Sequence, residues 1–300
     1  MQIKSPVTAV ISLYNPNDEA VSNCAALIEQ VGHVVAVDDG SPQDTSEILG
    51  RLENLGATVV RMRRNSGIAS ALNAGIRAAR AHPSNPRFIM TMDQDSRLEP
   101  GYTSKLLAAY ESAMAKSIRV AMVAPGNISG IPTRRRGNID GTVLGGEPIQ
   151  SGLLIPVEVL DSLGLLMDEL FIDGVDTEYY LRARLDAQES IVASDATLDH
   201  ALGAMVPASI FGIKISVLGR NLPVRTAASY RYYYIFRNRL LLVRRYWRSQ
   251  PGWALKGILA DYRHLAIVTT LAPDRGPRLT SAMAGVRDGL RGVSGPRVAS

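Results

Sequence analysis

The sequence predicts an α/β protein built on a doubly wound, mostly parallel sheet with flanking helices. Over the first hundred residues, short runs rich in β-branched residues alternate with segments whose apolar residues recur at helical spacing. The chain has 300 residues, of which 46% are hydrophobic, so it can bury a sizeable core. Three of the β-like runs stop at acidic or amide side chains. Because ligands in such sheets gather beyond the carboxyl ends of the strands, this edge is the predicted site.

Four strands and three helices are predicted in this first part. The strands cover residues 7–13, 34–39, 58–62 and 88–93, and the helices cover residues 18–31, 45–55 and 68–81. Turn-forming clusters at 14–17, 39–41 and 65–67 separate them. The order of alternating strands and helices therefore continues without interruption as far as Asp93.

The pattern is less regular after residue 118. We predict strands at 120–127, 150–155 and 191–193, a helix at 157–163 and a loop at 198–203. A mobile loop is predicted around Arg134, Arg135 and Arg136, and a solvated charge run is favoured over a phosphate contact there.

Charge is divided unevenly along the chain. Residues 201–300 contain 16 basic residues against 3 acidic ones, a net charge of +13, whereas the first 200 contain 17 against 25, a net charge of −8. We therefore expect the C-terminal part to meet an anionic surface, either lipid head groups or nucleic acid. Cys24 is the single cysteine, which fits a reducing compartment, and no stretch of 18 apolar residues is present. These features predict a cytoplasmic protein.

Aromatic residues alternate with arginines over residues 230–248, and two interpretations stay open. The segment can be an amphipathic helix lying in a lipid head-group layer, or a helix docked on the protein with a solvated basic rim. Residues 273–300, where Gly, Pro and Arg are frequent, are predicted to be poorly ordered. We divide the chain into a catalytic domain, 1–215, and a basic, aromatic-rich helical extension, 216–300.

Asp93 and Asp95 are the first candidates for chemistry, because they directly follow a strongly apolar run. Two carboxylates at the end of a buried strand need water, hydrogen bonds or a cation, and a divalent Mg²⁺ or Mn²⁺ ion answers that need. The alternative is a solvated turn that caps itself. Asp176 can likewise be a functional carboxylate or only a helix cap, and His200 a ligand or a structural residue.

Seven stretches taken in order resemble the family 2 glycosyltransferases of the GT-A fold, in particular their bacterial rhamnosyltransferase-like branch. They are VISLYN, VVAVDDGSPQDT, NSGIASALNAGI, TMDQDS, SGLLIP, LFIDGVDTEYYLR and DHALG. The resemblance covers nearly the whole chain. The branch is indicated by FIDGVDTEYYLR together with YYYIFRNRLLLVRRYW.

The resemblance implies a role for each candidate residue. A catalytic base is implied at Asp176, with Asp173 and Glu178 on the acceptor side or as alternative bases, and a metal site at Asp95 and His200. The implied residues of the donor nucleotide site are Leu13, Tyr14, Asn15, Asp38, Asp39, Asn65, Gly67 and Asp93.

The implied reaction is inverting, metal-dependent sugar transfer from a nucleotide-diphosphate donor, with dTDP-rhamnose as the best guess. The implied acceptor is a glycan or a polyprenyl-linked molecule in cell-surface polysaccharide synthesis, reached from the inner face of the plasma membrane. No nucleic-acid partner is expected. A nucleotidyltransferase is one alternative, but LYNPNDEA is not the glycine-rich, basic loop it would show after the first strand. A non-enzymatic, basic-tailed membrane or nucleic-acid adaptor is the other, and it leaves the acids without a purpose.

Overall fold

The computed structural model describes residues 5–200, 203–210, 213–217 and 220–297. The chain divides into two compact units. The first, here the α/β unit, comprises the residues up to Asp168 together with Val175–His200. The second, here the C-terminal unit, comprises Glu169–Gly174 and the residues from Ala201 onward. The boundary predicted at 215 for the catalytic domain stays a prediction.

The α/β unit contains eleven strands and six α-helices among its described residues. The strands are β1 (Val7–Leu13), β2 (His33–Asp38), β3 (Thr58–Arg61), β4 (Phe88–Asp93), β5 (Arg97–Leu98), β6 (Val120–Ile128), β7 (Ile131–Pro132), β8 (Arg135–Ile139), β9 (Thr142–Gly145), β10 (Leu153–Pro156) and β11 (Glu189–Asp199). The helices are α1 (Asp18–Ile28), α2 (Ser46–Asn54), α3 (Ile68–Ala81), α4 (Tyr102–Met114), α5 (Val157–Leu163) and α6 (Val175–Leu185).

One sheet organises this unit, in the order β3-β2-β1-β4-β10-β6-β11-β9-β8. Strands β3, β2, β1 and β4 are parallel, as are β6 and β11, while β10 runs antiparallel between β4 and β6. Because β2 and β4 flank β1 on opposite sides, the strand order reverses at β1. The fold class predicted from the sequence is confirmed. The reversal places the carboxyl ends of β1, β2 and β4 side by side, where α/β sheets bind ligands.

Two predictions for the irregular half of this unit are wrong. Arg135 and Arg136 lie on β8, which pairs with β9, so this segment is not the expected loop. Leu198 and Asp199 are the last residues of β11 and pair with β5, so a strand replaces the start of the loop predicted at 198–203. Ala201 and Leu202 lie outside the described residues. The pairing of β11 with β5 matters because it carries His200 toward the end of β4.

The C-terminal unit contains short hairpins followed by three helices. Its described strands are β12 (Ala204–Pro207), β13 (Ser209–Ile210), β14 (Ile213–Lys214), β15 (Ser216–Val217), β16 (Arg220–Asn221) and β17 (Pro223–Thr226). Its helices are α7 (Arg231–Tyr246), α8 (Pro251–Leu271) and α9 (Arg275–Arg291). Among the described helices, none is long and apolar enough to cross a bilayer.

Helix α7 is a docked helix, which decides between the two interpretations of residues 230–248. Its aromatic residues Tyr232, Tyr233, Tyr234, Phe236 and Tyr246 are buried. Tyr232 and Phe236 belong to a hydrophobic cluster with side chains from α8, α9 and β17. The aromatic belt that the sequence offered to a lipid layer is therefore occupied by protein contacts.

The expectation of a poorly ordered end is also wrong for residues 275–291, which form α9. Ser281, Ala282, Gly285 and Gly289 are buried on the side of α9 that meets α7. A Cβ atom on Gly285 would lie 2.2 Å from the carbonyl oxygen of Tyr233. The glycines that lowered the predicted order are thus required for the two helices to approach closely.

Arg237 anchors the segment Glu169–Gly174 within the C-terminal unit. Its side chain is fully buried, donates to the carbonyl oxygen of Leu170 at 3.0 Å and to that of Gly295, and stacks over the rings of Tyr233 and Tyr234. Asn238 donates to the carbonyl oxygens of Leu170, Ile172 and Asp173. Two adjacent polar residues of α7 therefore satisfy the backbone of this irregular segment.

We expect Arg237→Ala to lower the free energy of unfolding by about 3 kcal/mol or more, because it leaves buried carbonyl oxygens without donors and opens a cavity. Urea denaturation followed by circular dichroism measures the change. Arg245→Ala on the exposed side of α7 is the matched control and should alter stability by no more than about 0.5 kcal/mol. Equal stability of the two variants would refute the anchoring role.

Candidate functional site

The carboxyl ends of β1, β2 and β4 are joined by hydrogen bonds from the loops that follow them. The backbone N–H of Tyr14 donates to Oε1 of Gln94 at 2.8 Å, and Nε2 of Gln94 donates to the carbonyl oxygen of Tyr14. The backbone N–H of Asn15 donates to Oγ of Ser41 at 2.7 Å. Leu13 is buried directly beneath this edge, whereas the Tyr14 side chain is exposed. The residues at the end of β1 that the resemblance assigns to the donor nucleotide site therefore line this edge. Hydrogen bonds between its loops hold the edge in place.

Asp38 and Asp39 are both buried, and each has a defined structural partner. Asp38 accepts hydrogen bonds from the backbone N–H and the hydroxyl of Ser41. The two oxygens of Asp39 accept from the backbone N–H groups of Ser66 and Gly67, each at 2.8 Å. Burial raises the pKa of Asp39, while these two N–H groups act in the opposite direction. Asp39 therefore clamps the loop that contains Asn65 and Gly67 onto the end of β2.

Gly40 shows how closely these two loops pack. It has a φ of +65°, and a Cβ atom there would lie 2.2 Å from the backbone carbon of Arg64. Only glycine satisfies both conditions. The structure thus brings Asp38, Asp39, Asn65 and Gly67 together, as the sequence predicts.

Asp93, Asp95 and His200 form a cluster at the end of β4. Each offers one ligand atom, and these atoms lie within 4.8 Å of one another. Nε2 of His200 lies 3.7 Å from Oδ2 of Asp93, and Nδ1 lies 3.4 Å from Oδ1 of Asp95. The hydrogen bond with His200 holds the pKa of the Asp95 carboxyl below its usual value. The two predicted metal ligands are therefore adjacent, although 105 positions separate them in sequence.

Three serines support this cluster. Oγ of Ser96 lies 2.8 Å from Nδ1 of His200, and Oγ of Ser151 lies 2.7 Å from Oγ of Ser96. Ser151 also accepts from the backbone N–H of Asp93 at 3.0 Å, so one hydroxyl links both sides of the cluster. Ser129 accepts from the backbone N–H of His200. These contacts fix the imidazole ring and the end of β4 relative to each other.

The residues fit a divalent cation. Two carboxylates and an imidazole converge from β4, its following turn and the end of β11, and a hydroxyl contacts the imidazole nitrogen that lies nearer Asp95. Carboxylate oxygens suit Mg²⁺ and Mn²⁺, and the nitrogen ligand favours Mn²⁺ of the two. A hydrogen-bonded second ring nitrogen is the usual support of a ligating histidine.

Because Ser151 links both sides of the cluster, we expect Ser151→Ala to weaken Mn²⁺ binding about tenfold to a hundredfold. Electron paramagnetic resonance of free Mn²⁺ during titration measures the affinity. Ser190→Ala is the control, since Ser190 is an equally buried serine whose hydroxyl has no hydrogen-bond partner. Unchanged affinity in Ser151→Ala, or an equal loss in Ser190→Ala, would contradict this supporting role.

The three acids around the start of α6 have different surroundings. Asp173 forms an ion pair with Arg231, with N to O distances of 2.5 and 3.2 Å, inside the C-terminal unit. Glu178 is 1% exposed and forms an ion pair with Arg182 at 2.5 Å. Asp176 is half-buried and accepts from the backbone N–H of Thr177, which in turn donates through its hydroxyl to Glu147. Asp173 and Glu178 thus each form an ion pair with an arginine.

The sequence reasoning missed Ser41, Gln94, Ser96 and Ser151. Gln94 and Ser96 stand inside the TMDQDS stretch, and Ser151 stands in SGLLIP. These residues therefore lie within stretches that carry the resemblance. A serine next to an acid is nevertheless too common in protein sequences to indicate a role. Its role depends on which distant strand pairs beside it.

Residues 8–141 match the model of the family described as "Glycosyl transferase family 2". The chain is 27% identical over 98% of its length, and 98% of the relative's length, to "dTDP-rhamnosyl transferase RfbF" of Shigella flexneri. It is 30% identical to "Succinoglycan biosynthesis protein ExoO" of Rhizobium meliloti (strain 1021), over 37% of the chain and 31% of that protein.

Solved structures show the same fold at low identity. A structure of GalNAc-T7 with UDP, GalNAc and Mn²⁺ has a TM-score of 0.56 and 13% identity, covering 87% of this chain, which spans 58% of that protein. A structure of residues 1–349 of S. aureus TarS has a TM-score of 0.50 and 14% identity, covering 95% of this chain and 91% of the other. Both likenesses concern the fold alone.

Proposed function

We propose that the chain is a family 2 glycosyltransferase that transfers rhamnose from dTDP-rhamnose to a hydroxyl of a glycan or lipid-linked acceptor. The observation that carries the choice of donor is the 27% identity to a dTDP-rhamnosyl transferase, which extends over 98% of both chains. A relative named for succinoglycan biosynthesis supports a place in cell-surface polysaccharide synthesis.

The carboxyl edge of β1, β2 and β4 is the proposed donor site. Leu13, Tyr14 and Asn15 supply its floor, and Asp38 lies at its side. Asp39 acts indirectly in this proposal, since both of its oxygens hold the loop of Asn65 and Gly67. Asp93, the last residue of β4, belongs both to this edge and to the cation cluster. The clamped loops keep the edge in one conformation, which lowers the entropy cost of binding a nucleotide.

The proposed cation ligands are Asp95 and His200, with Asp93 beside them. A divalent ion held there would neutralise the negative charge that the diphosphate gains as it leaves. Mg²⁺ and Mn²⁺ are the proposed ions, and the GalNAc-T7 structure named for Mn²⁺ supports the choice of Mn²⁺.

Asp176 is the proposed catalytic base. In a single displacement, the acceptor oxygen forms a bond to C1 of the sugar while the bond from C1 to the diphosphate oxygen breaks, and its electron pair leaves with the nucleotide. The carboxylate of Asp176 takes the proton of the acceptor hydroxyl, and the configuration at C1 inverts. Asp176 is preferred to Asp173 and Glu178 because the family resemblance aligns it with the base, whereas those two carboxylates form ion pairs with Arg182 and Arg231.

The acceptor and the location are proposed together. We infer a polyprenyl-linked acceptor at the inner face of the plasma membrane, with peripheral contact to anionic lipid, and the net charge of +13 in residues 201–300 supports that contact.

Release of nucleoside diphosphate tests the function directly. Purified protein and a soluble acceptor analogue are given dTDP-rhamnose, dTDP-glucose, UDP-GlcNAc or UDP-glucose, with Mn²⁺, with Mg²⁺ or with a chelator, and free nucleotide is measured. We expect release from dTDP-rhamnose alone, and only with a divalent ion. Preferential release of nucleotide from a UDP-sugar would show that dTDP-rhamnose is not the donor. Full activity in the presence of the chelator would show that the reaction needs no divalent cation.

A further inference from the structure

The C-terminal unit exposes an unusual share of apolar side chains. Among the described residues, it contains twelve of the eighteen large apolar residues that are more than a third exposed, although it is about a third of the chain. Helix α8 is the main source. Of its 21 residues only Ala254 and Val268 are buried. A helix covered on so little of its surface leaves a face for another partner.

Most of the exposed apolar residues of α8 share one side, and Ile267, 42% exposed, lies away from it. Leu255, Leu259, Tyr262 and Ala266 follow one another at intervals of four, three and four residues, the spacing of a single helix face. Leu255 is 53% exposed, Leu259 61% and Tyr262 50%. Val268, on the opposite side, belongs to the cluster that contains Tyr232 and Phe236, and Ala254 is also buried. The Tyr262 ring meets the Phe236 ring edge to face at 5.2 Å, so Tyr262 lies at the border of the exposed side. We call the exposed side, with its neighbours Lys256 and Arg263, the outer face of α8.

Charge on the outer face has one sign. Lys256 and Arg263 are exposed beside the apolar stripe. Asp261 is the one acidic residue in the sequence of α8, and its carboxylate binds Nε of Arg239 at 2.6 Å on the inward side. The outer face is therefore apolar and basic, with its single acid turned away and neutralised.

The junction between α7 and α8, which directly precedes this face in sequence, is also basic. Arg244, Arg245 and Arg248 are exposed there, and Trp247 is exposed between them. By contrast, Arg231 is paired with Asp173, and Arg237 and Arg278 are buried. Some arginines of the C-terminal unit are therefore buried or paired within the fold. The exposed ones named here directly precede α8 in sequence.

We infer that the outer face of α8 binds an anionic lipid surface, with the helix lying in the head-group plane. Leucines and a tyrosine at helical spacing, flanked by Lys and Arg, match the requirements of an interfacial helix. A second copy of the chain fits this face less well, because a symmetric contact would bring Lys256 and Arg263 of both copies against each other. The inference rests on the membrane contact in the proposed function and assigns it to α8 instead of the buried aromatic side of α7.

Vesicle binding tests the inference with the full chain. Co-sedimentation is measured with vesicles of phosphatidylcholine alone and of phosphatidylcholine with phosphatidylglycerol at 7:3, in low salt and in 1 M NaCl. The test variants are Leu255→Gln with Leu259→Gln, and Lys256→Glu with Arg263→Glu. The controls are Leu185→Gln, since Leu185 is 54% exposed in the α/β unit, and Arg135→Glu on β8. Circular dichroism confirms that each variant folds.

We expect binding to the anionic vesicles only, with partial release in 1 M NaCl. Both double variants should bind at least about tenfold more weakly, while the two controls bind as the parent does. No binding by the folded parent, or equal binding by all variants, would overturn the inference. A dimer in light scattering that Leu255→Gln with Leu259→Gln converts to a monomer, without vesicle binding, would assign the face to a second copy.

Failure of this inference can be told apart from failure of the proposed function. Nucleotide release from dTDP-rhamnose with a soluble acceptor analogue depends on the α/β unit and should be unchanged in both double variants. Vesicle binding without nucleotide release would reject only the proposed donor. Nucleotide release without vesicle binding would reject only the lipid contact.

Discussion

Asp176→Asn should reduce turnover by roughly 10² to 10⁴ while leaving donor affinity within about twofold of the parent. Asparagine is nearly the same size and can still accept the hydrogen bond from the backbone N–H of Thr177, so the first turn of α6 is preserved. It cannot accept the proton of the acceptor hydroxyl at neutral pH. Steady-state rates of nucleotide release measure turnover, and the shift in melting temperature with dTDP-rhamnose and Mn²⁺ measures donor binding.

Two matched variants separate this chemical role from a structural one. Glu178→Gln breaks a buried ion pair with Arg182, so it should lower stability more than Asp176→Asn does. Asp186→Asn changes an exposed acid just beyond the end of α6 and should affect neither property. If Asp176→Asn lost donor binding and stability together with turnover, Asp176 would be a helix-capping residue and the base would have to be sought elsewhere.

The sequence predicted most of the elements that make the α/β unit, because their patterns are local. Residues 7–13, 68–81 and 157–163 have in the structure the bounds that periodicity predicts. Gly40 lies in the turn after β2, and Gly67 directly precedes the start of α3. The neighbourhood of Asp38, Asp39, Asn65 and Gly67 follows from the same information, since parallel strands bring their carboxyl ends to one edge.

The parts that the sequence could not predict depend on long-range pairing. β11 extends to Asp199 because Leu198 and Asp199 pair with β5, more than 95 positions away. An alternation of small, polar and apolar residues such as ASDATLD does not indicate this by itself. His200 reaches Asp93 and Asp95 through that pairing, which residue patterns alone do not indicate, although the family resemblance implies a shared metal site for Asp95 and His200.

Helices α7 and α9 show a second limit. An arginine and aromatic pattern such as that of α7 is the same whether the aromatic side meets lipid or protein, and only the burial of Tyr232 and Phe236 decides. In α9 the glycines that lowered the predicted order are the residues that let α9 approach α7. Glycine content predicts an average loss of helix stability. It does not show which glycine allows a neighbouring helix to pack closely.

Asp95→Ala should abolish Mn²⁺ binding at the cluster and reduce nucleotide release to background. Removal of this carboxylate deletes one proposed ligand and also the acidic neighbour of Nδ1 of His200. Charge neutralisation of the leaving diphosphate is worth several kcal/mol, so a loss of roughly 10² or more in rate is expected even with saturating donor.

Direct metal binding keeps this prediction independent of activity. Paramagnetic resonance should show one bound Mn²⁺ in the parent and none in Asp95→Ala, while Asp44→Ala, which removes an exposed acid after β2, should bind as the parent does. Circular dichroism should show Asp95→Ala to be folded, because Asp95 is an exposed side chain in the turn after β4. Metal-stimulated nucleotide release that persists in Asp95→Ala would remove Asp95 from the metal site, and Asp93 with His200 would then be the ligands to test.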